Sequence, residues 1–462
     1  MKQRLEFRAT IAGVLLLLAG CGTLRTPYVR PEATIAPRWT QSDASAPAAQ
    51  GSDWWRRFGD PQLDRLVDRV LARDNDLAVA AITLRRARLQ ARYAVINPTV
   101  GASGSYSYSA PLKGNVPSVQ TQSASMQASY EVDLFGALAA QKDVARWEAR
   151  ATQQDLESTR LSLIGTTVDL YFQIAFLNER IALADQSVAY AQKTLDLVQV
   201  QSNAGSASSL EVAEAVQNLA TQRANLHTLL EQRVEARNAL NLLLNGETSA
   251  EADELLQLPP GDPPSIDAGL PASLLARRPD LRADEMRLRE QLADVDQTRL
   301  SFYPSLSLTG SLGSSSTSLS QLLQNPVGGL GGSLVLPFLQ LDQVSLRVGV
   351  SRANYDAAVV QFRQSLYQAL TDVENALSAR GQFAAEGVDL AESLKNARTV
   401  ERLDEIRYRA GSIPLKTWLD AQESRRQAEA ASAQNQLNLL QSYVTLCKSL
   451  GGDAVQLSPS AG

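Results

Sequence analysis

Histidine, cysteine and methionine are almost missing from this chain, with one, two and three copies in 462 residues. Metal sites built from imidazole or thiolate need several such ligands, and a Ser-His-Asp triad needs a histidine. Either chemistry would therefore rest on His227 alone. An excess of positive charge is missing too. The 44 Lys+Arg are outnumbered by 49 Asp+Glu, for a net charge of −5 and a pI near 5.3. That excludes the basic face by which nucleic acid is bound, so no nucleic-acid partner is expected. Charged residues are 20% of the chain and hydrophobic ones 44%, a balance that fits neither a disordered acidic chain nor a polytopic helical membrane protein. No nucleophile–base pair and no set of metal ligands stands out, so the sequence predicts a protein that is not an enzyme.

What is present begins with an address. Lys2, Arg4 and Arg8 precede an apolar run from Ile11 to Ala19, which ends in Leu18-Ala19-Gly20-Cys21. A positive start, a short apolar stretch and small residues before a cut site predict a signal peptide over 1–20. The run is about half the length that a spanning helix needs. Its ending resembles the lipobox of bacterial lipoproteins. That resemblance implies a diacylglyceryl group on the Cys21 thiol, the only cofactor-like group expected, and Gly22 after it implies sorting to the outer membrane. Loss of Lys2, Arg4, Arg8 and Glu6 takes the net charge from −5 to −7. Cys447 is then left without an intrachain partner, and Val444, Leu446 and Leu450 around it predict packing.

A duplication runs through the rest. Pro98 and Pro304 each follow a helical pattern and open an alternating segment, 206 residues apart. Gly205 and Gly411, Glu214 and Asp420, and Ala215 and Ala421 share that offset. A spacing this long is a duplicated half-chain, since solenoid units are far shorter.

Each half holds two alternating segments. Val100, Ala102, Gly104, Tyr106 and Tyr108 alternate with Gly101, Ser103, Ser105, Ser107 and Ser109; Ala124, Met126, Ala128, Tyr130, Val132 and Leu134 alternate with Ser, Gln, Glu and Asp. In the second half Leu306, Leu308, Gly310 and Leu312 oppose Ser305, Ser307, Thr309 and Ser311, and a fourth segment runs from Leu330 to Phe338. Period two with unlike faces predicts strands. Either a soluble sheet on a core or a membrane barrel satisfies the pattern. The polar face carries Ser, Thr, Gly and Gln with little charge, which favours the barrel. Four strands cannot close one, and an open edge in lipid leaves backbone groups unsatisfied. Several chains must then share a barrel, and composition does not choose between two and three.

Between the strand pairs lie long helical patterns. From Ala137 to about Val200 there is no proline, and Leu156, Leu163, Leu170, Leu177, Ala184, Ala191 and Val198 recur every seven residues. This is a coiled-coil seam, on the order of 90 Å long at the helical rise. Asn203-Ala204-Gly205-Ser206 breaks it, and Ser208 with Glu211 forms a capping box for a return helix from Ser209 to about Leu244. The second half repeats the plan from about Val344 to Arg409, with a break at Ala410-Gly411 and a return from Pro414 to about Leu450. The expected organisation is a lipidated linker over 21–60, a first repeat over 61–246, a connecting segment over 247–272, a second repeat over 273–452 and a tail over 453–462.

Local strings then complete the picture: Tyr28-Val29-Arg30-Pro31-Glu32, Trp54-Trp55 with Phe58-Gly59-Asp60-Pro61, Tyr130-Glu131-Val132-Asp133-Leu134-Phe135-Gly136, Arg277-Arg278-Pro279-Asp280, Phe302-Tyr303-Pro304-Ser305-Leu306-Ser307-Leu308 and Leu419-Asp420-Ala421-Gln422. As an ordered series over nearly all of the mature chain, they resemble the outer membrane factors of bacterial tripartite systems. The closer resemblance is to the lipoprotein branch serving resistance-nodulation-division pumps. It implies a mainly α fold with a membrane β-barrel: a homotrimer whose four strands per chain make a shared twelve-stranded barrel, continued by a periplasmic α-barrel of helical hairpins. It further implies a passive, lipid-anchored exit duct in the outer membrane, docked to a periplasmic adaptor and an inner-membrane pump. Export of protein or polysaccharide through the same architecture, or an adhesive coiled-coil lipoprotein without a pore, are the alternatives.

In that resemblance the hairpin breaks lie at the periplasmic mouth. Asp420 matches the family's aspartate, Tyr408 a tyrosine just before the tip glycine, and Glu214 is the internal counterpart of Asp420. Three copies of each acid would make carboxylate rings that gate the mouth. The plainer readings are a solvated face for Glu214 and an ion pair of Asp420 with Arg407 or Arg426. Lys416 and Glu423 depart from the family pattern. His227, among Leu226, Leu229 and Leu230, is expected to be packed or interfacial. Tyr106, Tyr108 and Tyr130 suit an aromatic girdle, and Trp54 and Trp55 suit simple packing.

Overall fold

The computed structural model describes residues 24–41, 53–94, 96–114, 117–248, 254–266 and 268–452. Cys21 and the expected signal peptide over 1–20 lie outside them. The chain divides into two compact units, one of 1–33, 82–153 and 283–364, the other of 34–81, 154–282 and 365–462. Helices α1 (Pro61–Arg73), α2 (Asn75–Tyr93), α3 (Ala137–Asn203), α4 (Ser209–Leu243), α5 (Pro279–Leu300), α6 (Leu341–Arg409) and α7 (Leu415–Ser449) alternate with strands β1 (Thr99–Ser109), β2 (Val119–Val132), β3 (Ser305–Ser316) and β4 (Val327–Val335). Each half thus runs helix, strand pair, helical hairpin.

In the first unit the strands form one antiparallel sheet in the order β1-β2-β3-β4. Pro98 cannot donate to the ladder, and Asn97 does so in its place. Its Nδ2 donates to the Glu131 carbonyl at 2.7 Å, and its Oδ1 accepts from the Glu131 N–H at 3.1 Å. β4 starts three residues before the expected Leu330 and stops before Pro337, which opens a 3-10 turn (Pro337–Leu339) instead of extending the strand. The segment after Cys21 is strapped along α5. Thr26 gives its N–H and its hydroxyl to the two oxygens of Asp296, each at 2.7 Å, and Arg30 pairs with Glu285 at 2.6 Å. Arg289 lies between the rings of Tyr28 and Trp147, at 4.4 and 5.1 Å from their centroids. The Leu24 carbonyl accepts from Arg299.

The second unit holds the apolar core. Along α3 the seven-residue seam is buried at Leu163, Leu177, Ala191 and Val198, and its companion row at Ile174 and Ile181. Trp54 and Trp55 are buried against this seam together with Leu63, Val67, Tyr443 and Val444, so they pack and do not form a girdle. Asp60 caps α1 at the N–H groups of Gln62 and Leu63 and accepts from the Tyr171 hydroxyl at 2.6 Å. Cys447 is buried in the same cluster. A methyl at Gly165 would overlap the Lys448 stem lying across it. One turn on, Asp169 is pushed up to about 6 from 3.8 by burial, against the opposing pull of Lys448.

Candidate functional site

Two arrangements carry chemistry: the sheet, and the tips of the two hairpins. The sheet register puts most of the large apolar groups of the strands on one face, with Val119, Val327 and Val335 on the other. Val100 lies opposite Ala128, Ala102 opposite Met126, Met126 opposite Leu312, Tyr130 opposite Leu308, Leu306 opposite Leu334 and Gly310 opposite Leu330. The other face is hydroxyl-lined, with Ser103 and Ser125 2.9 Å apart and Ser105 and Ser123 2.7 Å apart. Tyr106, Tyr108 and Tyr130 stand on the apolar side and are exposed, as are Met126, Leu312 and Leu330. No core covers that face within the unit's described residues, and the outer edges of β1 and β4 have no strand partner among the described residues. A sheet of this kind is incomplete by itself. Neighbouring copies can pair its edges, and hydrocarbon can solvate its apolar face. No described helix is long and apolar enough to cross a membrane.

The tips are near copies of each other. At the first, the Ser206 N–H returns to the Gln201 carbonyl and Gly205 takes φ +76; at the second, the Ser412 N–H returns to the Arg407 carbonyl and Gly411 takes φ +73. Left-handed backbone is accessible to glycine without strain, so the pair of glycines in the sequence marks the two turns. The capping box is present: Ser208 Oγ accepts from the Glu211 N–H, and Glu211 accepts from the Ser208 N–H at 2.7 Å. On the second return helix Pro414 is the N-cap and supplies no side-chain bond.

Among the sequence-predicted gate residues, Asp420 is exposed on α7 and takes Lys416 Nζ at 3.1 Å. Arg407 is held by Asp404 and Arg426 by Glu423, so neither of the two expected cations pairs with Asp420. Glu214 is half-buried one turn beyond the capping box. Tyr408 is 7% exposed: its ring stacks on Trp418 at 5.1 Å, and its hydroxyl donates to Gln201 Oε1 at 2.7 Å. Burial pushes its phenol up, with a further contribution from Glu211. It ties α6 to α3 at the tip, whereas Asp420 projects outward. His227 is exposed on α4, and no metal-competent group of His, Cys, Asp and Glu occurs among the described residues.

Sequence reasoning missed two members of this tip. Trp418 is 2% exposed at its centre, and Tyr190 packs edge-on against it at 6.1 Å. The Tyr190 hydroxyl lies 2.9 Å from Glu401 and 3.1 Å from Glu405. Burial and those carboxylates push its phenol well above the usual range. The available signal was spacing: Leu415, Trp418 and Ala421-Gln422 recur at helical period and are buried together.

Comparison with known proteins agrees with this geometry. The family model for outer membrane efflux proteins matches residues 66–246 and 270–452. The chain is 31% identical over 408 residues to the toxin and drug export protein A of Aggregatibacter actinomycetemcomitans, covering 87% of this chain and 88% of the relative. It is 32% identical over 472 residues to the pyoverdine export outer membrane protein OpmQ of Pseudomonas putida, covering 96% and 97%. Among solved structures, the outer-membrane channel OprN superposes with a TM-score of 0.80 at 29% identity, over 93% of this chain and 99% of OprN. The open state of the MtrE outer membrane channel of Neisseria gonorrhoeae gives 0.76 at 27%, over 93% and 98%. With strand pairs, hairpins and duplication in the same order along its length, this chain belongs to the outer membrane efflux protein family.

Proposed function

We propose that this chain is one third of a gated, lipid-anchored exit duct that passes small molecules. The protein is a transport protein of the outer membrane, a trimer acting with a periplasmic adaptor and an inner-membrane pump in tripartite efflux. The observation that carries the reading is the open sheet, with one apolar exposed face, one hydroxyl-lined face and two unpaired edges. Three such sheets joined edge to edge give twelve strands, enough to close a barrel with a polar lumen. The duct performs no bond-making step; the pump supplies the energy, and Cys21 carries the acyl anchor in place of any cofactor. The tips form the periplasmic mouth. Asp420 rings it with carboxylates, Glu214 adds a second, half-buried acid, and Tyr408 closes it indirectly by holding α6 to α3.

Single-channel recording tests the gate. Asp420→Ala in the reconstituted trimer is expected to raise conductance, and an unchanged conductance removes Asp420 from the mouth. Mass spectrometry of the mature protein tests the anchor, since Cys21→Ser is expected to lose the acyl mass.

A further inference from the structure

A file of buried hydrogen-bond donors runs along α7 away from the second tip. Trp418, Gln422 and Arg426 recur every fourth residue and so stack on one face of the helix. Trp418 and Gln422 are 2% and 0% exposed, and the Arg426 side chain 11%. Trp418 Nε1, Gln422 Nε2 and Arg426 Nη1 are each shut off from solvent with no hydrogen-bond partner among the described residues. Across from them, α4 contributes Asn218 and Gln222, one turn apart. Asn218 Oδ1 accepts from Gln222 Nε2 at 3.2 Å and from Arg426 Nη2 at 3.4 Å. Two donors on one oxygen fix the orientation of that amide, and its Nδ2, also buried, is left without a partner.

The balance of these groups is one-sided. Four donors lack an acceptor, while Gln422 Oε1 is the one orphaned acceptor beside them. A buried donor without a partner is unfavourable by about 1–3 kcal/mol. A water molecule must donate as well as accept, and this set offers it little to donate to. A small anion accepts from several donors at once, and the guanidinium supplies positive charge. Arg426 is only partly neutralised, because Glu423 takes Nη2 at 2.7 Å and Nε at 3.0 Å but leaves Nη1 turned away. Gln222, Glu423 and Arg426 also line a cavity of about 610 Å³ between α3, α4 and α7, together with Arg180, Gln232 and Glu429, while Asn218 and Gln422 lie outside its lining.

We propose that Asn218, Gln422 and Arg426 hold a small monovalent anion of halide size, which clips α4 of the first hairpin to α7 of the second. The site lies within one protomer, so it does not depend on whether the chain conducts. Crystals of the trimer soaked in bromide test it directly. An anomalous peak within hydrogen-bond reach of Arg426 Nη1 and Asn218 Nδ2 is expected, and a wild-type map with only ordered water there at saturating bromide would overturn the proposal. A second measurement exchanges gluconate for chloride at constant ionic strength and follows the Tm of the trimer. A saturable rise of a few degrees is expected, absent in Arg426→Gln and reached at lower chloride in Glu423→Gln. A rise that does not saturate, or one retained in Arg426→Gln, counts against the site.

Discussion

The two hairpins share a backbone and differ in what hangs on it. The offset of 206 that aligns Gly205 with Gly411 pairs Val212 with Trp418, Val216 with Gln422, Ala220 with Arg426 and Leu210 with Lys416. Both turns close with the same backbone bond and the same left-handed glycine. The first return helix starts with a capping box and carries small aliphatic groups. The second starts with proline and carries the indole, amide and guanidinium that fill the tip. Duplication preserved the element that makes a hairpin, and divergence placed the polar chemistry in one copy.

The largest break in that comparison comes at the indole. Trp418→Ala is expected to lower stability by about 3–5 kcal/mol, as for other fully buried aromatics, against roughly 1 kcal/mol for Val212→Ala at the matching, half-buried position. Thermal unfolding of the two variants decides the point, and equal losses would erase the asymmetry.

Next is Asp169, whose counterpart in the second half is Asn375. Its folded pKa of about 6 lies above the ordinary 3.8, so the folded chain binds the proton more tightly than the unfolded one. The stability this confers is complete below pH 4 and is lost as pH rises from about 4 to about 6, on the order of 2–3 kcal/mol. Asp169→Asn, which makes the first half like the second, should flatten the Tm–pH profile across that window. Superimposable profiles would refute the assignment.

Smaller effects follow at the turns. Gly205→Ala and Gly411→Ala should each lose about 1–2 kcal/mol by forcing a Cβ into left-handed backbone, and a clear difference between them would show that the turns are not equivalent. Ser208→Ala should lose about 1 kcal/mol from a cap that the second return helix does not have.

The parts most legible in the sequence were those with strict period. The seam on α3 ends within a few residues of where the heptads predict, because its apolar positions are buried or half-buried in turn. β1 and β3 were equally plain, with serine alternating against larger groups. β2 begins at Val119, earlier than its pattern shows, because Gln120 and Gln122 share a face with Tyr108 and Tyr106 and blur the alternation. β4 is a glycine-rich strand, and its alternation emerges only when paired with β3. At the tip, the sequence singled out Asp420 and Tyr408 but not their surroundings. Local spacing does not reveal that Tyr408 turns inward onto Trp418 while Asp420 turns out to Lys416, since that choice is made by packing between helices distant in sequence.

The strap on α5 limits where a lipid on Cys21 can go. Leu24 is fastened at Arg299 and Thr26 at Asp296, a few residues before β3 begins. Three residues of chain reach at most about 10 Å. A lipid on Cys21, as proposed above, would therefore be leashed to the end of α5, a few residues before β3 begins.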